Sequence, residues 1–151
     1  MVRNFEIIRR THFPKDPVYD WYTSFSPDDL SIAKPLGFQE RKVERLGPDR
    51  LRVVNLVKWG PMKFPFTFDI TLHPKNSYEA ELDAPIFHSS AKYDFSEDKG
   101  GTIIRLTGEL RIKWLYKLLT PIFASEILKS FEDSMTRFVT ACEHDLAGAT
   151  G

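Results

Sequence analysis

The chain has 151 residues, the usual size of one domain, and at that length it can bury a hydrophobic core without disulfides or metals. Its 21 basic and 21 acidic side chains cancel, so it lacks the basic excess that nucleic-acid binding normally requires. The single cysteine excludes an internal disulfide, and no apolar run reaches the roughly 20 residues of a membrane span.

We therefore expect one domain over residues 1–151 that binds no nucleic acid. The single cysteine fits a reducing compartment, and the first ten residues, MVRNFEIIRR, lack the apolar region of a signal peptide, so we expect a cytoplasmic protein. No pair of histidines has metal-ligand spacing, and one cysteine cannot build a thiolate zinc site. These features predict no metal and no cofactor, and they leave the oligomeric state open.

The N-terminal part predicts one strand followed by two short helices. RNFEIIRRTHF alternates between two faces, which is typical of a strand. Asp16-Pro17 and Ser26-Pro27 each place a capping side chain directly before a proline, which is favoured at the first position of a helix. The two predicted helices cover residues 17–25 and 27–34.

Residues 38–112 predict six further strands that form an antiparallel meander. Gly, Pro, Asn and Asp clusters recur between short alternating segments and are suited to chain reversals. The clearest strand covers 63–72, where Phe64, Phe66 and Phe68 alternate with polar residues. Together with the first strand, this segment predicts a single seven-stranded sheet with one apolar face.

The C-terminal segment predicts a long helix that begins near a proline. Apolar residues after Pro121 fall on one side of a helix as far as about Leu146, and Thr120 is placed to cap it. The alternative is a proline kink inside one continuous helix. Four apolar residues on the opposite side are predicted to form a cavity lid or lip that touches a membrane or protein partner transiently: Leu115, Leu118, Leu119 and Ile122. Their alternative is packing beneath the two short helices.

This order of elements resembles the START-like, helix-grip superfamily, which includes polyketide cyclase/dehydrase, lipid-transport and coenzyme-Q-binding-like proteins. The resemblance rests on RRTHFPKDPVYDWYTSFSP, on the meander, and on GELRIKWLYKLLTPIFASEILKSFEDSMTRF. It implies an α+β fold in which a curved antiparallel sheet wraps around the C-terminal helix. It also implies an apolar cavity between them for a lipid, a polyketide or an isoprenoid-like molecule.

If the resemblance holds, alternation in the strands and helix periodicity name the residues that face the cavity. The predicted ligand-binding residues are Asn55, Val57, Trp59, Phe64, Phe66, Phe68, Phe87, Ser89, Tyr93, Phe123, Ile127 and Phe131. The alternative for each aromatic residue is ordinary core packing. Asn55 and Tyr93 are the polar groups expected to orient a ligand carbonyl, and Arg9 could fix an anionic group. Gly108 leaves either room for a ligand or a bend in its strand.

No catalytic motif is present, so we assign no catalytic residue. His88 alternates outward, and the carboxylates of SPDD and FEDS are interpreted as capping or solvated acids. The basic stretch 40–52 is interpreted as solvated strand faces. The sequence leaves open whether the protein is an enzyme and favours binding or transport of a hydrophobic small molecule. The alternatives are a polyketide cyclase/dehydratase-like enzyme and a protein-interaction module that docks on a macromolecular complex.

Overall fold

The computed structural model describes residues 2–26, 29–113 and 120–150. It contains seven strands, two short helices and one long helix in the predicted order. The elements are β1 Val2–Thr11, α1 Lys15–Tyr22, α2 Asp29–Ala33, β2 Phe38–Gly47, β3 Arg50–Trp59, β4 Met62–His73, β5 Ser77–Asp83, β6 Phe87–Asp98, β7 Gly101–Ile112 and α3 Thr120–Thr150. A 3₁₀ turn over Lys34–Leu36 follows α2.

All seven strands form one antiparallel sheet in the order β1-β7-β6-β5-β4-β3-β2. Strands β2 to β7 are therefore a meander in which each strand pairs with the next, and β1 closes onto β7. The predicted seven-stranded antiparallel sheet and long C-terminal helix are confirmed. None of the helices in the described part of the chain is long and apolar enough to cross a membrane.

The two short helices differ in detail from the prediction. Helix α1 begins at Lys15, with Pro14 at its N-cap position, so Asp16 lies in the first turn instead of acting as the cap. An acidic residue there still interacts favourably with the helix dipole. Helix α2 is only five residues long and passes directly into the 3₁₀ turn.

Helix α3 has 31 residues and is about 46 Å long at 1.5 Å per residue. It extends four residues beyond the predicted end at Leu146. Residues 114–119 lie outside the described residues, and with them Leu115, Leu118 and Leu119 of the predicted lid. The fourth lid residue, Ile122, is 63% exposed on the first turns of α3.

Helix α3 is anchored on the sheet by two separate hydrophobic clusters. Towards its C-terminal half, Met135, Val139 and Cys142 belong to a cluster that also contains residues of α1 and of every strand except β2. Near its start, Ala124 and Ile127 pack with the ends of β5, β6 and β7. The closest approaches of its backbone are to β1, β7, α1 and α2. The helix is therefore held at the β1 side of the sheet.

Gly108 is required by a close approach between β6 and β7. A β-carbon at this position would collide with the carbonyl oxygen of Ser90 and would lie 2.9 Å from both Ala91 Cα and Phe5 Cζ. Real β-carbons essentially never come this close to backbone atoms. The glycine is thus explained by the packing of the neighbouring strand, and not by room left for a ligand.

We predict that Gly108→Ala lowers the free energy of unfolding by about 1–3 kcal/mol, since overpacking forces the backbone to move. Gly148→Ala is the matched control, because Gly148 is helical and a β-carbon added there would meet no atom within 4 Å. The better helix propensity of alanine should raise the free energy of unfolding at that position by up to about 1 kcal/mol. Chemical denaturation measures both changes, and an unaltered Gly108→Ala variant would contradict the close-packing explanation.

Candidate functional site

A cavity of about 320 Å³ lies between the inner face of the sheet and α3. Its volume falls within the range of about 300–1,000 Å³ that is typical of small-molecule sites. Successive side chains of a strand point to opposite faces, so alternate residues in the middle of β3 and β4 and in the first half of β6 reach it. Most of its wall is apolar, with a small number of polar side chains among the rings.

Nine of the twelve predicted ligand-binding residues lie on the cavity wall. They are Asn55, Val57, Phe66, Phe68, Phe87, Ser89, Tyr93, Ile127 and Phe131. Phe64 is half-buried in β4 but does not line the cavity. The side chains of Trp59 and Phe123 lie outside the described part of the chain. Contact of any of these residues with a ligand stays a prediction.

A chain of phenylalanine rings crosses the cavity wall from β2 to β1. The ring centroids of Phe38 and Phe66 are 6.1 Å apart, those of Phe66 and Phe87 5.6 Å, and those of Phe87 and Phe131 6.2 Å. Phe131 of α3 then contacts Phe5 of β1 at 5.4 Å. Such tilted and edge-to-face pairs are favourable by about 0.5–1.5 kcal/mol each. They connect the central strands to α3 through side chains alone.

A group of tyrosines lines another part of the wall. The rings of Tyr78 and Tyr93 face each other from paired positions of β5 and β6 and are stacked at 4.5 Å. Burial raises the pKa of Tyr93 to about 12, so its hydroxyl is neutral at physiological pH. Phe25 packs on Tyr78 at 5.8 Å and has a φ of 46°, which is unusual for an aromatic residue. Its ring is thus placed on the wall at some cost in backbone strain.

The strongest polar feature of the wall is a buried cluster of Arg41, Asp29 and Asn55. Arg41 Nε donates to Asn55 Oδ1 at 2.9 Å, and its Nη1 donates to Asp29 Oδ2 at 3.2 Å. Nη1 also lies 3.4 Å from the carbonyl oxygen of Ser26. The Arg41 side chain is only 8% exposed. Burial lowers the pKa of Arg41, and the Asp29 carboxylate opposes that effect, so the guanidinium remains charged.

The expectation that the side chains of Arg41 and Asp29 are solvated is wrong, although Asp29 does lie in the first turn of α2. Arg41 belongs to the stretch 40–52 that is interpreted as solvated strand faces, and Asp29 to the acids interpreted as capping or solvated. Both are buried because α2 packs against β2 and closes over them. The pairing of β2 with β3 could have indicated the burial of Arg41. Arg41 lies directly opposite Asn55, and alternation in β3 predicts that Asn55 points inward.

Two other side chains considered from the sequence lie away from the cavity. Arg9 points towards α3, where Nε donates to Thr136 Oγ1 at 3.1 Å and Nη2 to the carbonyl oxygen of Glu132 at 3.2 Å. Its guanidinium is hydrogen-bonded to α3, and Arg9 does not line the cavity. His88 lies on the outer face, with Nε2 2.9 Å from a carboxylate oxygen of Glu81. Within the described ranges, no cluster of His, Cys, Asp and Glu could hold a metal ion.

No protein-family model matches the chain, and no curated protein matches it significantly in sequence. Solved structures do match it. The ZhuI aromatase/cyclase from Streptomyces sp. R1128 superposes with a TM-score of 0.85 at 15% identity, covering 100% of this chain and 99% of that one. Ara h 8.0201 matches with a TM-score of 0.64 at 14% identity, covering 93% and 99%.

Norcoclaurine synthase from Thalictrum flavum matches with a TM-score of 0.62 at 12% identity, covering 93% of this chain and 87% of that one. These structures share the helix-grip fold, and the chain therefore has that fold too, as its resemblance indicates. At such low identity the likeness establishes the fold alone.

We predict opposite effects for two buried tyrosine hydroxyls. The Tyr22 hydroxyl has no hydrogen-bond partner among the described residues, whereas the Tyr19 hydroxyl donates to the carbonyl oxygen of Ser77 at 3.0 Å. Tyr22→Phe should leave the free energy of unfolding unchanged or raise it by up to about 1 kcal/mol, because it removes an unsatisfied buried group. Tyr19→Phe should lower it by about 1 kcal/mol. Urea denaturation compares the two, and a larger loss at Tyr22 would show that its hydroxyl is paired.

Proposed function

We propose that the protein binds a hydrophobic small molecule in the cavity between the sheet and α3. The observation that carries this proposal is the cavity itself, whose wall consists mainly of aromatic and aliphatic side chains. A core meant only for stability is normally packed to crystal-like density, with few voids larger than a water molecule. A space of about 320 Å³ bounded by rings is instead suited to a ligand such as a lipid, a polyketide or an isoprenoid-like compound.

Apolar burial would supply most of the affinity. A ligand that buries about 300 Å² of apolar surface gains about 7.5 kcal/mol at about 25 cal/mol per Å², before the cost of its lost translational and rotational freedom is subtracted. The rings that form the wall are held by one another and by the sheet, so little further ordering is needed when a ligand enters. The few polar groups would set its orientation.

A polyketide cyclase/dehydratase-like activity is the second candidate. Two observations favour it: a buried cluster of Arg41, Asp29 and Asn55 reaches the wall, and the similar ZhuI structure is described as an aromatase/cyclase. Against it, the acids on the described wall are Asp29, which Arg41 engages, and the exposed Glu126. Asp29 is taken up by its ion pair and Glu126 is in contact with solvent, so neither is poised to transfer a proton to a ligand, and we place binding first.

The experiment uses prodan, a neutral naphthalene ketone whose emission shifts to the blue in apolar surroundings. Ala91 lines the cavity, and Ala91→Phe fills part of it with a ring. Prodan should then bind at least about tenfold more weakly than to the unmodified protein, a change of about 1.4 kcal/mol. Fluorescence titration measures the dissociation constant.

Lys92→Phe is the matched control, because it introduces the same ring at the next residue, which is exposed on the outer face of β6. It should leave the dissociation constant within about twofold, a difference below about 0.5 kcal/mol. Both variants are first checked for a cooperative unfolding transition, since Ala91→Phe overpacks the wall and should lower stability by about 1–3 kcal/mol. The proposal would be contradicted if the unmodified protein did not bind prodan, or if both variants bound it equally well.

A further inference from the structure

Arg41 and Asn55 line the cavity and carry hydrogen-bond donors for which the described residues provide no acceptor. Arg41 uses Nε and Nη1 for its contacts with Asn55, Asp29 and Ser26, and its Nη2 donates to none of the described residues. Because Asn55 Oδ1 accepts from Arg41, the Nδ2 group carries the two amide protons. Nδ2 likewise donates to none of the described residues. Arg41 Nη2 and Asn55 Nδ2 are thus two donors on buried wall residues that have no acceptor in the part of the chain that the structure describes.

Asp29 determines whether these donors favour a charged or a neutral acceptor on a ligand. Its carboxylate lies 3.2 Å from Arg41 Nη1 and is itself 12% exposed, so the pair is a buried ion pair with no net charge. A ligand carboxylate beside this pair would add a negative charge that no buried cation balances, which is costly, since Lys58, the other basic residue of the described wall, is exposed. A neutral carbonyl oxygen accepts the same hydrogen bonds without that charge.

The neighbouring residues indicate what the carbonyl would be attached to. Arg41, Asn55 and Phe66 occupy directly paired positions on β2, β3 and β4. The Phe66 ring is flanked by Phe38 and Phe87, with which it makes edge-to-face contacts. A flat ring resting in this aromatic group would therefore have its substituent beside the two donors. The paired positions of Arg41, Asn55 and Phe66 therefore predict a ligand whose carbonyl group is attached to a planar ring system.

We infer that Arg41 and Asn55 form a carbonyl-binding subsite, which Asp29 makes selective for neutral acceptors, and that the ligand is an aromatic ketone or quinone. This inference rests on the proposed binding function, since it assigns a ligand class to the same cavity. It goes beyond that function because an apolar cavity alone would accept hydrocarbons of the same shape equally well.

Three probes of matched shape separate the contributions: 2-acetylnaphthalene carries a neutral carbonyl, 2-ethylnaphthalene has no acceptor, and 2-naphthoate carries a charge. Their affinities are measured by displacement of prodan, whose own dissociation constant is first determined for each variant. The unmodified protein should bind 2-acetylnaphthalene about tenfold or more tightly than 2-ethylnaphthalene, as expected for a hydrogen bond from a charged donor. It should bind 2-naphthoate more weakly than 2-acetylnaphthalene.

The variant Asp29→Leu/Arg41→Met removes the ion pair as a unit, which avoids leaving one buried charge unpaired. It should lose most of the preference for 2-acetylnaphthalene over 2-ethylnaphthalene, since the Asn55 amide is then the one donor of the subsite that is left. Arg52→Met/Asp69→Leu removes an exposed pair of the same chemistry on the adjacent strands β3 and β4, with its Nε 2.8 Å from Oδ1. This control should keep the preference. Asn55→Leu, which leaves the ion pair in place, should reduce the preference and serves as a second variant if the double one does not fold.

The outcomes distinguish the two proposals. Equal binding of 2-acetylnaphthalene and 2-ethylnaphthalene to the unmodified protein would overturn the carbonyl subsite and leave cavity binding intact. A preference that survives in both Asp29→Leu/Arg41→Met and Asn55→Leu would overturn the assignment to these residues. Tighter binding of 2-naphthoate than of 2-acetylnaphthalene would overturn the selectivity for neutral acceptors. If none of the probes binds, cavity binding fails and the subsite fails with it.

Discussion

The position of α3 is the constraint on which the rest of the structure depends. The helix is fixed by two hydrophobic clusters, one near its start and one in its C-terminal half, and it approaches β1, β7 and the short N-terminal helices most closely. The inner faces of β3, β4 and β5 are therefore not covered by a helix backbone at close range. Large side chains must fill that gap. Aromatic rings do so at a small entropic cost, because they have few rotatable bonds to immobilise on folding. A space between the rings follows from this geometry, because rigid planar groups fill a curved interval incompletely.

The same geometry explains why charge is tolerated inside the wall. Helix α2 closes over β2 at the far side of the sheet from β1, and there Asp29 and Arg41 neutralise each other while Asn55 takes a further donor. A buried ion pair of this kind contributes little to stability and is often replaceable by apolar residues. The proposed carbonyl subsite gives this pair a role on the cavity wall, the orientation of a ligand, that does not depend on its contribution to stability.

The order of elements and part of the cavity wall follow from local pattern. Alternation in β4 places Phe66 and Phe68 inward, and turn residues separate the strands, so the sheet can be predicted from the sequence. The burial of Arg41 and Asp29 cannot, because it depends on a packing contact between α2 and β2 and not on any local periodicity. The start of α1 at Lys15 shows the same limit on a small scale, since the helix begins two residues before the position that the Asp16-Pro17 cap signal predicts.

A crystal structure grown with 2-acetylnaphthalene tests most directly whether the space between the sheet and α3 is a ligand site with a polar end at Arg41. We expect density for the naphthalene ring among Phe38, Phe66 and Phe87, with the carbonyl oxygen about 3 Å from a nitrogen of Arg41 or Asn55. A cavity closed by α3 packed onto the central strands, or a probe bound only on the outer surface, would contradict it.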